Sequence, residues 1–142
     1  MSGDRIIAEE RGDELYVYFY DTNGLPEGFQ YRTKSEAADA WQVFWYEKNL
    51  QGDIVAIYTN NGDLKVTYSY DAWGNATPIY YNQSYGTFLQ NNPFRYRGYY
   101  YDVDLKLYYL NSRYYDPIVG MFISPDDASY LGANGDLISY NL

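Results

Sequence analysis

Residues 54–70 read Ile-Val-Ala-Ile-Tyr-Thr-Asn-Asn-Gly-Asp-Leu-Lys-Val-Thr-Tyr-Ser-Tyr, and this stretch decides the fold class. Two runs rich in β-branched and aromatic residues, Ile54–Thr59 and Leu64–Tyr70, flank Asn60-Asn61-Gly62-Asp63. Asn-Gly between such runs supplies the positive φ angles that two-residue hairpin turns need. The stretch therefore predicts an antiparallel β-hairpin.

The second run also alternates between two kinds of side chain. Side chains two residues apart in a strand point to the same face. One predicted face carries Val66, Tyr68 and Tyr70, and the other carries Lys65, Thr67 and Ser69. We therefore expect a sheet with one face in water.

Strand and turn signals of the same kind occupy most of the chain. Upstream runs are Leu15–Tyr20, Phe29–Tyr31 and Trp45–Asn49, and downstream runs are Phe94–Tyr101, Leu107–Tyr114 and Met121–Ser124. Gly, Asn, Asp and Pro lie between them. The sequence predicts an all-β protein built from consecutive antiparallel hairpins.

One segment departs from this pattern and sets the predicted boundaries. Thr33 and Glu36 resemble a capping box and three alanines follow, which favours one short helix or helical turn within residues 33–40. Residues 1–75 are then hairpins with this insertion, residues 76–93 a connecting loop, and residues 94–142 a second set of hairpins truncated at the C-terminus.

Composition limits the chemistry of the chain. Twenty-one of its 142 residues are tyrosine, a residue that favours strands, and cysteine and histidine are absent. Disulfides, thiolate nucleophiles, Ser-His-Asp triads and conventional zinc sites are excluded. We expect no cofactor and no metal site, and we expect that the chain is not an enzyme.

The formal net charge of −9 bears on partners. Phosphate binding needs clustered Lys and Arg, and the ten basic residues are dispersed, so no nucleic acid is expected to bind this segment. The same charge repels anionic lipid. Residues 1–10 lack an apolar signal region and no window resembles a membrane span, so neither a targeting signal nor membrane insertion is expected.

The dipeptide Tyr-Asp occurs four times where an aromatic strand meets a turn, at Tyr20-Asp21, Tyr70-Asp71, Tyr101-Asp102 and Tyr115-Asp116. The tyrosine can pack as the last strand residue while the aspartate accepts backbone N–H groups inside the turn. This structural interpretation is favoured over a sugar or metal site. The turn aspartates also lack the spacing of a twelve-residue calcium loop.

The second set of hairpins resembles the core region of the RHS/YD-repeat family. The likeness rests on Tyr96-Arg97-Gly98 with Tyr101-Asp102, on Tyr108-Tyr109, and on Arg113-Tyr114-Tyr115-Asp116-Pro117 with Gly120 and Phe122. Residues 48–53 and 70–75 are similar to the approach to that core. Segment 33–40 does not fit and looks like a local insertion.

This resemblance implies a strip of hairpins that spirals into a hollow shell, with the core region plugging one end. In bacterial members the shell encloses a C-terminal toxin domain. The implied partners are the remainder of the shell and the enclosed toxin, and the implied parent protein is bacterial, secreted or on the cell surface. The expected role is wall and part of the plug.

The resemblance also suggests a chemical site. Family members that cut themselves use acidic residues near the last core turn together with an arginine, and the matching positions are Arg113 and Asp126, with Asp116 nearby. The chain reads Asp-Asp-Ala-Ser from Asp126, where the family has Asp-Pro-x-Gly. A remnant of an aspartyl autoprotease is therefore one alternative to the structural role.

A third interpretation is an aromatic β module that binds carbohydrate. Exposed Tyr and Trp beside Asp and Asn are typical of proteins that stack against sugars and hydrogen-bond their hydroxyl groups. Unpaired strand edges at both ends of a shell segment also predict self-association.

Overall fold

The computed structural model describes residues 6–81, 88–110 and 113–123, and in these ranges it is an all-β protein, as predicted. The strands form two antiparallel sheets. In the first sheet they are β1 (Ala8–Arg11), β2 (Glu14–Tyr20), β3 (Pro26–Thr33), β4 (Gln42–Lys48), β5 (Ile54–Thr59), β6 (Leu64–Tyr70) and β7 (Ala76–Tyr80). In the second they are β8 (Tyr100–Asp102), β9 (Leu107–Leu110), β10 (Arg113–Asp116) and β11 (Met121–Ile123).

Both sheets are meanders in which strands that follow each other in sequence lie side by side. The register places Phe29 opposite Phe44, and Tyr46 opposite Ile57, so the large apolar residues of neighbouring strands share one face. β1 and β7 are the edges of the first sheet. Alternate N–H and C=O groups of an edge strand point away from the sheet.

Four loops of the first sheet share one design. Each starts at an Asp, Asn or Thr whose side-chain oxygen accepts the N–H groups two and four residues later. Each has a glycine with positive φ at its fourth position, such as Gly62 (φ +92°) and Gly74 (φ +95°). The four loops are 21–25, 49–53, 59–63 and 71–75.

This geometry corrects the predicted two-residue turn at Asn61-Gly62. A type I′ turn needs positive φ at both residues, but in the described chain only Arg97 and Lys106 have positive φ among the non-glycine residues. The loop is wider, and the register shifts beside it, between Ile57 and Tyr58. The Asn-Gly pair is also compatible with this longer loop, because the glycine supplies the positive φ that a loop beside a bulge needs.

The core lies on one face of the first sheet and consists mostly of aromatic rings. Phe29 and Phe44 stack at 5.0 Å between centroids, and Tyr31 stacks on Phe88 at 3.8 Å with the planes 5° apart. Phe94 packs edge-on against Tyr18 at 5.1 Å. Burying one such side chain stabilises a fold by about 1.5–3 kcal/mol. The residues from Phe88 to Phe94 thus act as the cover of this face.

The predicted connecting loop 76–93 therefore needs correction. Its first five residues are β7, which pairs along β6, and the first sheet extends past the predicted boundary at residue 75. After residues 82–87, which lie outside the described ranges, Phe88–Asn91 form a 3₁₀ helix with Phe88 and Leu89 buried. Without periodicity, a short segment whose side chains fill a core resembles a loop in sequence.

The opposite face of the first sheet is only partly in water. Trp45 is 37% exposed and Ile79 55% exposed on this face. Lys65, which alternation assigned to the wet face, is buried, with 4% of its surface exposed. A long lysine stem can cover apolar surface along its length, so alternation alone does not predict its exposure.

Segment 33–40 contains two hydrogen-bonded turns and no α-helix. The Glu36 N–H donates to the Thr33 carbonyl (3.2 Å) and the Ala40 N–H to the Ala37 carbonyl (3.0 Å). Half of the predicted capping box is present, since the Thr33 N–H donates to Glu36 Oε1 at 2.7 Å. A segment this short gains little free energy from helix propagation, so it forms two separate turns and not a helix.

The second sheet is more broken than predicted. The predicted strand Phe94–Tyr101 is interrupted by a 3₁₀ helix at Tyr96–Gly98, where Arg97 has a positive φ of 55°. The predicted strand Leu107–Tyr114 is a hairpin in which β9 pairs with β10, Tyr109 opposite Tyr114. Such breaks are not visible in a continuous aromatic run, because tyrosine occurs both in these strands and in the 3₁₀ helix between them.

We predict different stability losses for Gly62→Ala and Gly74→Ala. Both glycines have nearly the same positive φ, so alanine adds similar backbone strain of about 1–2 kcal/mol at each. A Cβ at residue 62 meets open space, whereas one at residue 74 falls 2.6 Å from the Tyr96 ring. Urea unfolding should show the larger loss for Gly74→Ala. Equal losses in the free energy of unfolding would mean that the Tyr96 ring does not pack against Gly74.

Candidate functional site: the junction of the two sheets

The residues of the family-like signature gather where the second sheet meets the first. Tyr108 lies at the centre of a ring cluster, 4.7 Å from Tyr101, 5.8 Å from Tyr96 and 6.4 Å from Tyr115 between centroids. Tyr115 in turn contacts Phe122 at 5.1 Å. Aromatic pairs at these distances add attraction beyond their buried area. The signature is therefore a packing unit.

This cluster docks on loop 71–75 through its hydroxyl groups. The Tyr108 hydroxyl donates to the Gly74 carbonyl (2.9 Å) and the Tyr115 hydroxyl to the Trp73 carbonyl (2.6 Å). Asn75 Nδ2 donates to the Pro117 carbonyl at 2.8 Å. The carbonyls of one hairpin loop thus hold two strands of the second sheet.

The chain between the two sheets crosses one end of the first. The Ile54 N–H donates to the Arg95 carbonyl (2.8 Å), and the Arg97 N–H donates to Asp53 Oδ1 (2.8 Å). Gly98 lies against Pro26, so residues 95–98 contact both neighbouring loops at that end. Because alternate loops of a meander lie at the same end, this segment closes one end of the sheet.

The aspartates of the four Tyr-Asp pairs act in their turns as predicted. Asp102 Oδ1 accepts the N–H groups of Asp104 (3.0 Å) and Leu105 (2.9 Å), and Asp116 Oδ1 accepts that of Ile118 (2.9 Å). Backbone donors lower the pKa of Asp21, and the Asn75 side chain and backbone lower that of Asp71. Burial raises the pKa of Asp102. Turn chemistry accounts for the repeat.

Beneath the junction lies a buried polar node around Asn92, which is 2% exposed. Its Oδ1 accepts from the Tyr46 hydroxyl (2.5 Å), and its Nδ2 donates to the Phe94 carbonyl (2.7 Å) and the Tyr68 hydroxyl (3.2 Å). Burial raises the pKa of Tyr68 to about 12 and also raises the pKa of Tyr46 well above its ordinary value. Both hydroxyls therefore stay protonated at neutral pH.

Arg95 completes this node. Its Nε donates to the Asn92 carbonyl and its Nη2 to the Gln90 carbonyl, both at 3.0 Å. Its guanidinium lies 4.7 Å from the centroid of Tyr101 and 5.6 Å from that of Tyr68. A buried cation is tolerated when its donors are satisfied and aromatic rings face it. Arg95 thus joins the core cover to both sheets.

A second polar contact joins β1 to the second sheet. Glu9 accepts from the hydroxyls of Tyr18 (2.9 Å) and Tyr100 (3.1 Å), and Arg11 reaches Asp104 at 3.3 Å. Glu9, Arg11, Tyr100 and Asp104 border an open, mostly acidic cavity of about 420 Å³, which Glu10, Gly12 and Asp102 also line. The described residues contain no group of three acidic side chains placed to hold a metal ion.

The autoprotease candidates remain a prediction. Arg113 is exposed and its guanidinium lies 4.6 Å from the centroid of Phe122. Asp126 lies outside the described residues, and Asp116 caps its own turn. Of the other signature residues, Tyr109 packs on Tyr114 at 5.2 Å, and a Cβ at Gly120 would fall 2.7 Å from the Trp73 ring.

Sequence reasoning missed the residues that hold the cover in place. Asn92 lies in the segment predicted to be a connecting loop, and Arg95 lies near the start of a predicted strand. Glu9 lies in the N-terminal segment, where no strand was predicted. A polar residue inside an aromatic segment carries no periodic signal. The only hint was Asn92-Pro93-Phe94, in which an amide precedes two residues that themselves prove buried.

Sequence comparison finds longer proteins that are similar to this chain. No protein-family model matches the chain. The chain is 35% identical over 92% of its length to a protein of Bacillus subtilis (strain 168) named tRNA nuclease WapA, and spans 6% of that protein. It is 27% identical over 98% of its length to a Burkholderia cenocepacia (strain H111) protein named double-stranded DNA deaminase toxin A, and spans 10% of it.

A solved structure shares the fold. The chain superposes on the crystal structure of TcdB2-TccC3-Cdc42 with a TM-score of 0.63 and 22% identity, covering 81% of this chain and 5% of that one. The match shows that this fold occurs as a small part of a much longer chain.

These names overturn one prediction. We expected that the chain is not an enzyme, yet relatives aligned with 92–98% of it are named as a nuclease and a deaminase toxin. That prediction is wrong. The prediction rested on the absence of cysteine and histidine from this chain. The chain spans a tenth or less of these relatives, so that absence says nothing about the activity of the longer proteins.

In the part of the chain that the structure describes, no helix is long and apolar enough to cross a membrane.

We predict that Asn92→Ala strongly destabilises the protein. The change removes the amide partner of the Tyr46 hydroxyl and of the Phe94 carbonyl, and each buried unpaired group costs about 1–3 kcal/mol. It also removes one of the hydrogen bonds of the Tyr68 hydroxyl, which keeps that with Arg95. The matched control is Gln90→Ala, since the Gln90 side chain is exposed and its carbonyl keeps its bond to Arg95. That control should change the free energy of unfolding by less than about 0.5 kcal/mol. Similar losses in the free energy of unfolding for both variants would show that the hydrogen bonds of Asn92 do not stabilise the protein.

We also predict that stability falls in alkaline solution. Burial raises the pKa of Tyr46, Tyr68, Tyr70 and Tyr108 above the ordinary tyrosine value of about 10. The unfolded chain therefore ionises first, so this stabilisation is complete below about pH 10 and is lost as the pH rises further. Urea midpoints at pH 8 and pH 11, with tyrosinate absorbance, test this. A folded protein whose tyrosines all titrate near pH 10 would contradict it.

Proposed function

We propose that the chain is a wall and plug segment of a longer RHS-type toxin protein whose enzymatic activity is directed at nucleic acid. One observation carries the proposal: the first sheet is a single seven-stranded meander with an edge strand at each side, and the nuclease relative and the solved structure are many times longer than the chain. A sheet of this kind can extend at both edges.

The first sheet supports the wall role. Each strand is joined to the next by a short loop, and loops of one design recur at residues 21–25, 49–53, 59–63 and 71–75. Repetition of one hairpin design lets a chain add strands to the same sheet without changing its register. Such a sheet can grow into the curved wall that the family resemblance implies.

Residues 88–110 and 113–123 support the plug role. Phe88 and Phe94 cover the aromatic face, while the segment 95–98 and the Tyr108 cluster close one end of the sheet. A wall segment in a shell would otherwise expose this face to the interior. The cover and the second sheet therefore resemble the part of a shell that ends it.

The toxin role comes from the relatives. One is named a tRNA nuclease and another a double-stranded DNA deaminase toxin, so nucleic acid is the common class of target. On this proposal the activity belongs to the longer protein, and the remainder of the shell and an enclosed toxin domain are the partners of this segment. A bacterial, secreted or surface-bound protein is the corresponding location.

Hydrogen exchange tests the wall role. In this chain alone, the outward-facing N–H groups of β1 and β7 have no strand partner among the described residues and should exchange quickly. In the longer protein, the same groups should be protected by neighbouring strands. The central strand β5, paired on both sides, is the matched control and should be protected in both samples.

Two outcomes would count against the proposal. If β1 and β7 exchange equally fast in the longer protein, the sheet ends at these strands and the wall interpretation fails. If the longer protein neither cleaves nor deaminates tRNA or double-stranded DNA, the enzymatic part of the proposal is wrong. The wall role is tested separately, by hydrogen exchange.

A further inference from the structure

Loops at one end of the first sheet expose large apolar side chains. Leu25, Leu50 and Trp73 lie in the loops that follow β2, β4 and β6, so they share one end of the meander. Leu50 is fully exposed, and the other two are about half exposed. At the opposite end, the described loops 34–40 and 60–63 expose no side chain of this kind. We call Leu25, Leu50 and Trp73 the loop row.

The loop row belongs to one continuous surface. Gly98 fills the space between the first two loops, in contact with both. The Trp73 ring packs on Gly120, and the neighbouring Ile118 and Val119 are also exposed. The apolar surface therefore extends along this end of the sheet and onto the last loop of the second sheet. Contiguous apolar surface of this kind marks interaction sites.

The loops that carry the row are ordered by their own hydrogen bonds. The Leu25 N–H donates to Asp21 Oδ1 at 3.0 Å, and the Trp73 N–H donates to Asp71 Oδ1 at 2.8 Å. The middle loop, 49–53, has the same design. A partner can exclude water from these tips without leaving those N–H groups unpaired, and little conformational entropy is lost.

The spacing of the row matches one face of an α-helix. Neighbouring strands lie about 4.8 Å apart, and successive loops of the row are two strands apart, so their tips are about 10 Å apart. About seven residues of an α-helix span about 10.5 Å and return to nearly the same face. A helix that lies across the strands can therefore place one apolar side chain on each loop.

A proline-rich segment has a similar repeat of about 9 Å but fits this surface less well. Such segments dock in grooves lined by aromatic rings. Two of the three side chains of the row are leucines, and all three stand on protruding loops. An amphipathic helix, which buries a stripe of aliphatic and aromatic side chains, is the better match.

The charge of this end selects a basic partner. Each loop of the row contains an aspartate, and hydrogen bonds inside the loops lower the pKa of Asp21 and Asp71, so both stay ionised at neutral pH. Lys48 lies beside these loops but is already paired with Asp21 at 3.4 Å. The chain as a whole carries a net charge of −9. A second copy would bring the same aspartates, and its described residues contain no α-helix.

We propose that the loop row binds a basic amphipathic α-helix of a partner protein. The apolar face of the helix packs on Leu25, Leu50 and Trp73, and flanking Lys or Arg side chains face the loop aspartates. The proposal goes beyond the wall and toxin roles and does not rest on them, since the loops at one end of the sheet carry it.

Titration of the whole chain with synthetic peptides tests this surface. The probe is an amphipathic Leu/Lys peptide of about 18 residues, which is about 27 Å long as a helix and spans the row. The counter-probes are its scrambled sequence, a Leu/Glu peptide of the same pattern, a proline-rich peptide and phosphatidylcholine vesicles. Calorimetry gives the affinity, and amide chemical shifts locate the site. We expect the Leu/Lys peptide to bind at least about tenfold more tightly than every counter-probe, with shifts in the three loops.

The variants Leu50→Ser and Ile79→Ser make the test specific. Leu50→Ser should weaken binding of the Leu/Lys peptide about tenfold, and the fold is retained because Leu50 is fully exposed. Ile79→Ser is the matched control and should leave the affinity unchanged, since Ile79 is exposed within β7, away from the loops. The proposal is overturned if the Leu/Lys peptide does not bind, if a counter-probe binds as tightly, or if Leu50→Ser weakens binding no more than Ile79→Ser.

Discussion

The structure depends on covering the aromatic face of one open sheet. Strands β2, β3, β4 and β6 place buried rings of Tyr and Phe on the same side of the sheet, and an open sheet cannot leave such a surface in water. The cover is supplied by the chain that follows, with Phe88 and Phe94 against the rings and Asn92 between them. The position of the second sheet follows from how this cover is anchored.

Tyrosine suits both parts of that arrangement. Its ring fills the core as phenylalanine would, while its hydroxyl reaches a carbonyl, a carboxylate or an amide at the boundary. Tyr108 and Tyr115 bind the carbonyls of one loop, and Tyr46 and Tyr68 bind Asn92. A protein built in this way joins separate segments by many modest hydrogen bonds on apolar surfaces, which explains why more than a seventh of its residues are tyrosine.

Local patterns in the sequence predicted most strands of the first sheet and the Tyr-Asp turns, because each depends on neighbouring residues. The alternation around Val66 and the aspartate at each turn predicted contacts that the structure contains. The cover was not predictable in this way, since Asn92 and Arg95 act through residues that lie far along the chain. Lys65 and the break at Arg97 were missed for the same reason, because burial and positive φ there depend on tertiary contacts.

The candidate site shows the same division. The signature residues from Tyr96 to Phe122 were identified in advance, yet their role as a docking cluster required the position of loop 71–75. The side-chain types missing from this chain did not predict what its relatives are named for, since the chain spans 6–10% of those proteins.

A structure of the longer protein that contains this chain would test the account most directly. It should show a hydrogen-bonded strand beside β1 and another beside β7, with residues 88–123 closing one end of a continuous shell. Solvent along both edge strands, with the two sheets standing apart as an independent domain, would contradict the account.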